Sequence, residues 1–252
     1  MTARPLGTLL ALAAHTLLGV TVWHLFPFLM GSPEAPPGPA AAGWWWWDAL
    51  LVLLFSLPHS TLLFPPVRRR LDRYLPRELF GCLFTLVTAL SLLVLIGAWR
   101  PSPVVVWRAD GGARTALHAA YLLSWAGLLY SLGLTGFGHQ TGWTPYWAWV
   151  RGRPAPRRRF ETPSVYRLLR HPTYLCFAGQ VWFTPDMTLD RLLLAGFLTA
   201  YIALGSYLKD RRMAFYVGAD YRAYQARVPG YPLAWGPLGR VRAPAREPAP
   251  AR

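Results

Sequence analysis

Residues 79–99 have the sequence LFGCLFTLVTALSLLVLIGAW and carry no charged side chain between Glu78 and Arg100. About 20 apolar residues in a helix are needed to cross the roughly 30 Å hydrocarbon layer of a membrane. This stretch has that length and that composition. It therefore predicts a transmembrane helix, and it indicates that the whole chain is a membrane protein.

Charge-free runs of the same kind lie on both sides of this stretch. In chain order, the predicted spans cover residues 6–28, 49–67, 79–99, 116–136, 174–185 and 192–208. The first run also has features of a signal peptide, but its apolar core is long and it lacks a small-residue cleavage site, so we interpret it as a span. The fifth run is short. Its alternative is a helical hairpin with the sixth, turning at Thr184-Pro185-Asp186.

The composition of the chain agrees with a membrane protein. Hydrophobic residues make up 54% and charged residues only 15% of the 252 residues, whereas soluble domains average about 45–50% and about 25%. The net charge of +15 fits basic cytoplasmic loops better than a nucleic-acid partner. We therefore predict an all-α, polytopic integral membrane helical bundle. It has about six transmembrane helices, a C-terminal helical hairpin and an amphipathic cytoplasmic helix.

The basic residues test this count independently, because Lys and Arg accumulate on the cytoplasmic side of membrane proteins. With six spans, the N-terminus, residues 65–78, residues 151–171 and the segment from Lys209 onward all face one side. These segments hold 22 of the 26 Lys and Arg residues, and the opposite side holds 4. We therefore predict an even number of crossings with both termini in the cytoplasm.

The chain has neither an internal repeat of fixed period nor a sign of a second domain. We predict a single transmembrane domain over residues 1–235 and a disordered basic tail over residues 236–252, which is rich in Pro, Ala and Arg. The histidines in and near the spans lack a second His or carboxylate at metal-ligand spacing, so no metal site is expected. Most of them are expected to hydrogen-bond across helices.

The most informative polar stretch is Arg170-His171-Pro172-Thr173-Tyr174, where a basic segment enters the membrane. Pro172 is typical of the first position of a helix, whose backbone N–H groups favour an anion. Arg170 can bind a carboxylate through two parallel hydrogen bonds, and His171 and Tyr174 share a helix face. Such a corner suits a small zwitterion with a carboxylate and an aromatic base. The alternative is an ordinary basic helix boundary with a snorkelling arginine.

A second polar stretch follows the last span. It begins with Lys209-Asp210-Arg211 and continues into the predicted amphipathic cytoplasmic helix. On that helix Tyr221 and Tyr224 lie three residues apart, so they share a face. Aromatic faces attract a positive charge such as a sulfonium. The alternative is a pair of tyrosines at the membrane interface.

Together these motifs are similar to those of a known family. The chain resembles the isoprenylcysteine carboxyl methyltransferase superfamily in this order of motifs: Arg170-His171-Pro172-x-Tyr174, a short helical hairpin, an acidic-basic cluster, Gly218-x-x-Tyr221-x-x-Tyr224 and Val228-Pro229. Other segments resemble its bacterial methanethiol S-methyltransferase branch: Pro58-His59-Ser60, Ala98-Trp99-Arg100-Pro101 and Trp147 with Arg151-Gly152-Arg153-Pro154. The similarity covers residues 48–235.

The resemblance implies an integral membrane enzyme, located in the bacterial inner membrane, that uses S-adenosylmethionine. In such enzymes the cofactor lies at the cytoplasmic face, and the acceptor, here a small or lipophilic thiol, enters from the lipid bilayer. Asp210 and Arg211 are the expected catalytic residues. Carried over by position, the cofactor-binding residues are Arg170, His171, Pro172, Tyr174, Tyr221 and Tyr224.

The chain departs from the family pattern at three places. Lys209-Asp210 stands where the family generally has two adjacent glutamates, Thr144-Pro145 replaces an expected Arg-Gln pair, and Cys176 replaces an expected glycine. The departures at Lys209 and at Thr144-Pro145 favour a second hypothesis, a non-enzymatic accessory protein that resembles the denitrification-associated membrane family. A transporter is a third hypothesis, but charged residues that would carry ions are missing from the span centres.

Overall fold

The computed structural model describes residues 3–31, 42–156 and 159–241. These residues form mainly helices, together with two short strands, β1 (Val105–Arg108) and β2 (Asp186–Thr188). The helices are α1 (Ala3–Met30), α2 (Trp44–Leu63), α3 (Pro65–Leu71), α4 (Phe80–Ala98), α5 (Gly111–Leu134), α6 (Phe137–Gln140), α7 (Trp143–Val150), α8 (Pro172–Trp182), α9 (Leu189–Tyr216) and α10 (Ala219–Arg227).

Five helices in the described ranges are long and apolar enough to cross a membrane, namely α1, α2, α4, α5 and α9. Their outward faces carry large apolar side chains, for example Trp23, which is 78% exposed, and Leu123, which is 71% exposed. Soluble monomers rarely expose extended apolar surface of this kind. The predicted all-α polytopic membrane bundle is therefore confirmed.

The fifth predicted span, 174–185, is shorter than a full helical crossing. Its helix α8 has 11 residues and rises about 16 Å, roughly half the hydrocarbon layer. It lies beside α9, where Trp182 Nε1 donates a hydrogen bond to Thr199 Oγ1 at 2.8 Å. The chain then continues in non-helical conformation through Pro185 and enters β2. This is the hairpin arrangement, with its turn before the start of α9.

The two strands form an antiparallel ribbon that the sequence analysis did not predict. Val105 pairs with Thr188, and Arg108 pairs with Asp186. The buried carboxylate of Asp186 also lies 2.6 Å from Arg114 Nη2 and 3.4 Å from Arg108 Nε. The ribbon joins the connection between α4 and α5 to the hairpin turn, so it closes one end of the bundle.

The opposite end of the bundle gathers the basic loops. The first turns of α1 reach α7, where Tyr146 donates a hydrogen bond to Thr8 at 3.2 Å. The C-terminal half of α5 reaches the segment before α8 through the Tyr130 and Ser164 hydroxyls, which are 2.7 Å apart. The described N-terminal and C-terminal residues therefore lie at the same end. That this end faces the cytoplasm stays a prediction.

The predicted tail, 236–252, begins with folded residues. Gly236–Leu238 form a single 3₁₀ turn, and Val241 N–H donates to the carbonyl of Gln225 on α10 at 3.1 Å. The sequence pattern did not indicate this, because the segment is held through its backbone carbonyls rather than through apolar side chains. Residues 242–252 lie outside the described residues.

Candidate functional site

Arg170 and Asp210 form the centre of the candidate site. Arg170 immediately precedes the start of α8, and Asp210 lies in the C-terminal part of α9. Arg170 donates to Asp210 Oδ2 through Nε at 3.1 Å and through Nη2 at 2.8 Å. Arg170 is 2% exposed and Asp210 is 3% exposed. A buried charge needs this kind of pairing, since transfer from water is otherwise very unfavourable.

The other donors of Arg170 bind the C-terminal strap, by which we mean residues 228–241. Nη1 donates to the carbonyls of Val228 at 2.6 Å and Gly239 at 2.8 Å, and Nη2 donates to Pro237 at 3.1 Å. Nη1 also reaches the carbonyl of Gln225 at 3.3 Å. One guanidinium therefore joins α9, the end of α10 and the strap.

Tyr221 and Tyr224 support this centre from α10. Tyr221 donates its hydroxyl proton to Asp210 Oδ1, and Tyr224 donates to the carbonyl of Tyr166 at 2.5 Å. Both rings pack against Phe160. Burial raises the pKa of both phenols, and for Tyr221 the hydrogen bond to the carboxylate raises the pKa further. Both tyrosines therefore remain hydrogen-bond donors at neutral pH.

His171 is 1% exposed and lies between two tyrosine rings. Its ring stacks on Tyr174 with a centroid distance of 5.5 Å, and it contacts Tyr231 at 5.4 Å. Nε2 lies 3.2 Å from Asp210 Oδ1, whereas Nδ1 has no hydrogen-bond partner among the described residues. Burial lowers the pKa of His171, an effect that exceeds the opposing influence of Asp210. The imidazole is therefore neutral at pH 7.

The remaining predicted residues lie around this centre. Pro172 is the first residue of α8, as predicted. Lys209 places its Nζ 5.1 Å from the centroid of the Tyr174 ring. Arg211 is exposed, and its guanidinium lies 5.9 Å from the Tyr207 ring. A cavity of about 180 Å³ adjoins the centre and is lined by Tyr207, Asp210, Arg211, Ala214, Gln225, Pro237 and Val241.

The structure thus brings all eight predicted site residues to one end of the bundle. It also adds residues that the sequence analysis missed. Phe160, Tyr166 and Tyr231 contact the predicted tyrosines or His171. Their aromatic character is a weak signal in a chain with 12 Tyr and 12 Phe. The carbonyls of the strap have no sequence signal at all, because every residue has one.

Comparison with known proteins assigns the chain to a family. Residues 49–239, which contain all eight predicted site residues, match the family described as NnrU protein. The chain belongs to the NnrU family. No solved structure gives a significant match to it.

Curated relatives of this NnrU-family chain include enzymes. Methanethiol S-methyltransferase 2 of Bradyrhizobium diazoefficiens is 33% identical over 180 residues, which cover 71% of this chain and 70% of that protein. Methanethiol S-methyltransferase of Mycobacterium tuberculosis is 34% identical over 183 residues, covering 71% and 74%. Nurim of Danio rerio is 29% identical over 179 residues, covering 66% and 63%. The resemblance to the isoprenylcysteine carboxyl methyltransferase superfamily and its methanethiol S-methyltransferase branch is confirmed.

Methyltransferase relatives raise the question whether S-adenosylmethionine fits this site. The polar groups suit it, because His171 Nδ1 and the Tyr231 hydroxyl are buried and have no hydrogen-bond partner among the described residues, and the carboxylate of Asp210, which pairs with Arg170, lies beside them. The space is smaller than the ligand needs, since ordinary ligand pockets have about 300–1,000 Å³ and the cavity beside Asp210 has about 180 Å³. The polar groups therefore suit the cofactor, whereas the cavity in this structure is smaller than the cofactor.

Proposed function

We propose that this chain is an integral membrane methyltransferase that uses S-adenosylmethionine and S-methylates a small or lipophilic thiol. The observation that carries the proposal is the buried centre at the basic end of the bundle. There the carboxylate of Asp210 lies 3.2 Å from Nε2 of a neutral His171, whose Nδ1 has no hydrogen-bond partner among the described residues. Similarity to several methanethiol S-methyltransferases supports the same activity.

S-adenosylmethionine would supply an activated methyl group on a positively charged sulfur. In this proposal the carboxylate of Asp210 balances that positive charge, and His171 and Tyr174 bind the polar and aromatic parts of the cofactor. Arg170, Tyr221 and Tyr224 hold Asp210 and the strap in place through the contacts described above. Alignment of the reacting groups is the main contribution, and it is worth about 7–11 kcal/mol in well-oriented reactions.

Arg211 has a separate role in the proposal. A thiol reacts as the thiolate, and a free thiol has a pKa near about 8.5. Arg211 lines the cavity beside Asp210 without an ion-pair partner among the described residues. Its positive potential would favour the thiolate over the thiol.

The first test is cofactor binding by the purified protein in detergent, measured by calorimetry. We expect wild type to bind S-adenosylmethionine, and we expect His171→Ala and Tyr174→Ala to weaken binding about tenfold or more, because each removes a buried contact. His24→Gln is the matched control, since His24 is an exposed histidine of α1. Unchanged affinity in both site variants would count decisively against the proposal. Labelled S-adenosylmethionine with a panel of thiols then identifies the acceptor by its volatile product.

A second candidate function is a non-enzymatic accessory membrane protein. The observation that favours it is that the guanidinium of Arg170 donates its hydrogen bonds to Asp210 and to the strap. These N–H groups are therefore not available to a ligand. Lys209, which stands in place of an expected glutamate, also favours the accessory function. The calorimetric titration separates the two functions, because the accessory role predicts neither heat nor thermal stabilisation with S-adenosylmethionine.

A further inference from the structure

An open groove of about 430 Å³ lies between α5 and α8, whereas the cavity beside Asp210 has about 180 Å³. The lining includes Leu123 and Ser124 of α5 and Leu175, Ala178, Trp182 and Phe183 of α8. We call it the α5–α8 groove. Leu123 is 71% exposed and Leu175 is 39% exposed, and α5 is long and apolar enough to cross the membrane. The groove therefore opens toward the lipid.

Small residues form the floor of the α5–α8 groove. A Cβ added at Gly179 would lie 2.3 Å from Ser124 Oγ, and one added at Gly127 would lie 2.9 Å from Cys176 Sγ. The two helices therefore approach each other closely at these positions. The larger side chains on both sides of this contact form the walls of the groove.

The polar groups of the lining have partners inside the protein. Ser124 donates its hydroxyl proton to the carbonyl of Ala120 at 2.8 Å, and Trp182 donates to Thr199. The thiol of Cys176 is only a weak hydrogen-bond donor. A polar ligand would therefore lose its hydrogen bonds to water without gaining new ones, so the groove suits hydrocarbon.

The dimensions of the α5–α8 groove suit one hydrocarbon chain. The lining runs along α8 from Leu175 to the aromatic rings of Trp182 and Phe183, and α8 rises about 16 Å, roughly half the hydrocarbon layer. A methylene group is about as large as a water molecule, which occupies about 30 Å³ in the liquid. On the order of 14 such groups therefore fill 430 Å³. The groove thus has the length of one leaflet and the volume of one chain.

A basic turn joins the two helices at the end of the bundle that carries the basic loops. On this turn, the Ser164 hydroxyl lies 2.7 Å from that of Tyr130 on α5, and the Tyr166 hydroxyl lies 3.0 Å from Thr173 Oγ1 on α8. Arg167 belongs to the same turn and is exposed. It forms no ion pair with the acidic side chains of the described residues. Its positive charge can therefore bind the phosphate of a lipid headgroup.

We propose that the α5–α8 groove binds one acyl chain of an anionic phospholipid, from the leaflet at the basic end, with its phosphate at Arg167. The acyl chain accounts for the apolar lining, and the phosphate accounts for the unpaired arginine at the same end. A simple alkyl compound would use only the first feature. The inference does not depend on the proposed methyltransferase function, because neither the groove nor Arg167 belongs to the Arg170–Asp210 centre.

The experiment titrates the purified protein in detergent with dioleoylphosphatidylglycerol and counts the bound lipid by native mass spectrometry. We expect wild type to retain one molecule of this lipid. Ala178→Phe should bind it about tenfold more weakly, because the phenyl ring fills part of the groove and removes contacts with the chain. Ala200→Phe is the matched control, since Ala200 is an exposed alanine of α9 outside the groove, and it should bind as wild type does. Leu123→Trp is the second variant if Ala178→Phe fails to fold.

A parallel titration with dioleoylphosphatidylcholine, which has the same chains and no net charge, tests the headgroup. Wild type should prefer phosphatidylglycerol, and Arg167→Gln should reduce this preference about fivefold, the effect of one basic side chain near an anionic lipid. Equal binding of phosphatidylglycerol by Ala178→Phe and Ala200→Phe overturns the proposal, and so does equal binding of the two lipids by wild type. Displacement of phosphatidylglycerol by 1-dodecanethiol, at a concentration at which dodecane has no effect, also overturns it and assigns the groove to a thiol acceptor.

Discussion

Arg170 is the residue on which the cytoplasmic end of the molecule depends. Its guanidinium is buried and binds the carboxylate of Asp210 and four backbone carbonyls of the segment after α9. The planar guanidinium of arginine has five N–H donors and can bind all these acceptors at the same time. The ammonium of lysine has three donors on a single nitrogen atom. Arginine is required here by geometry more than by charge.

Arg170→Lys tests this at the residue scale. We expect it to lower the free energy of unfolding by about 3 kcal/mol, because several buried carbonyls and part of the Asp210 carboxylate lose their donors. The measurement is thermal or denaturant unfolding in detergent. Arg167→Lys is the matched control, since Arg167 is an exposed arginine three residues earlier, and it should change stability by less than about 0.5 kcal/mol. Equal stability of Arg170→Lys and Arg167→Lys would contradict this account.

At the scale of elements, α4 is placed by a close backbone contact. A Cβ added at Gly81 would lie 2.4 Å from the Cα of Gly142, the residue that precedes α7. Gly142 has a φ of +84°, a conformation that favours glycine. Glycine at both positions lets the start of α4 approach the start of α7. This contact therefore fixes how the start of α4 packs against α7 at the end of the bundle that carries the basic loops.

Gly81→Ala and Gly97→Ala form a matched pair on the same helix. We expect Gly81→Ala to destabilise the protein by about 2–3 kcal/mol, because the new methyl group meets backbone that cannot rotate away. Gly97 has no atom within 4 Å of an added Cβ, so Gly97→Ala should be neutral or slightly stabilising. Melting temperatures of the two variants in detergent provide the comparison. A larger loss of melting temperature for Gly97→Ala than for Gly81→Ala would contradict the importance of the contact between Gly81 and Gly142.

At the scale of the whole molecule, two differently built ends face opposite sides of the membrane. One end gathers the basic loops and the Arg170–Asp210 centre. The other carries the β1–β2 ribbon, in which buried Asp186 pairs with Arg108 and Arg114. Lys and Arg accumulate on the cytoplasmic side, so we expect the end with Arg170 and its bound strap to face the cytoplasm. The proposed cofactor site is then on the cytoplasmic side, where metabolism supplies the cofactor.

Cysteine labelling in intact bacterial cells tests this orientation. Val104→Cys, at the ribbon end and 53% exposed, should react with a membrane-impermeant maleimide in intact cells. Tyr74→Cys, which is 87% exposed at the basic end, should react only after the cells are permeabilised. The parent protein, with Cys82 buried and Cys176 half-buried, measures the background. The reverse labelling pattern would exclude the predicted orientation.

Much of the site could be predicted because its motifs are local. Arg170, His171, Pro172 and Tyr174 fall within one helical turn and its entry, so their neighbourhood follows from spacing alone. Which partner each side chain meets could not be predicted, because that depends on residues 40 or more positions away. Arg170 was expected to bind a ligand carboxylate, and in the structure its carboxylate is Asp210.

The sequence by itself determined that this chain spans a membrane, where its long apolar helices lie, and where its basic charge lies. The reason is that apolar length and charge bias act locally and need no knowledge of neighbours. Only the tertiary structure decided that α8 ends after 11 residues, that a ribbon closes one end of the bundle, and that the strap covers the other. The ribbon and the strap depend on hydrogen bonds to backbone groups of distant segments. Residues of all types carry such groups, so the sequence of side chains does not predict which of them will pair.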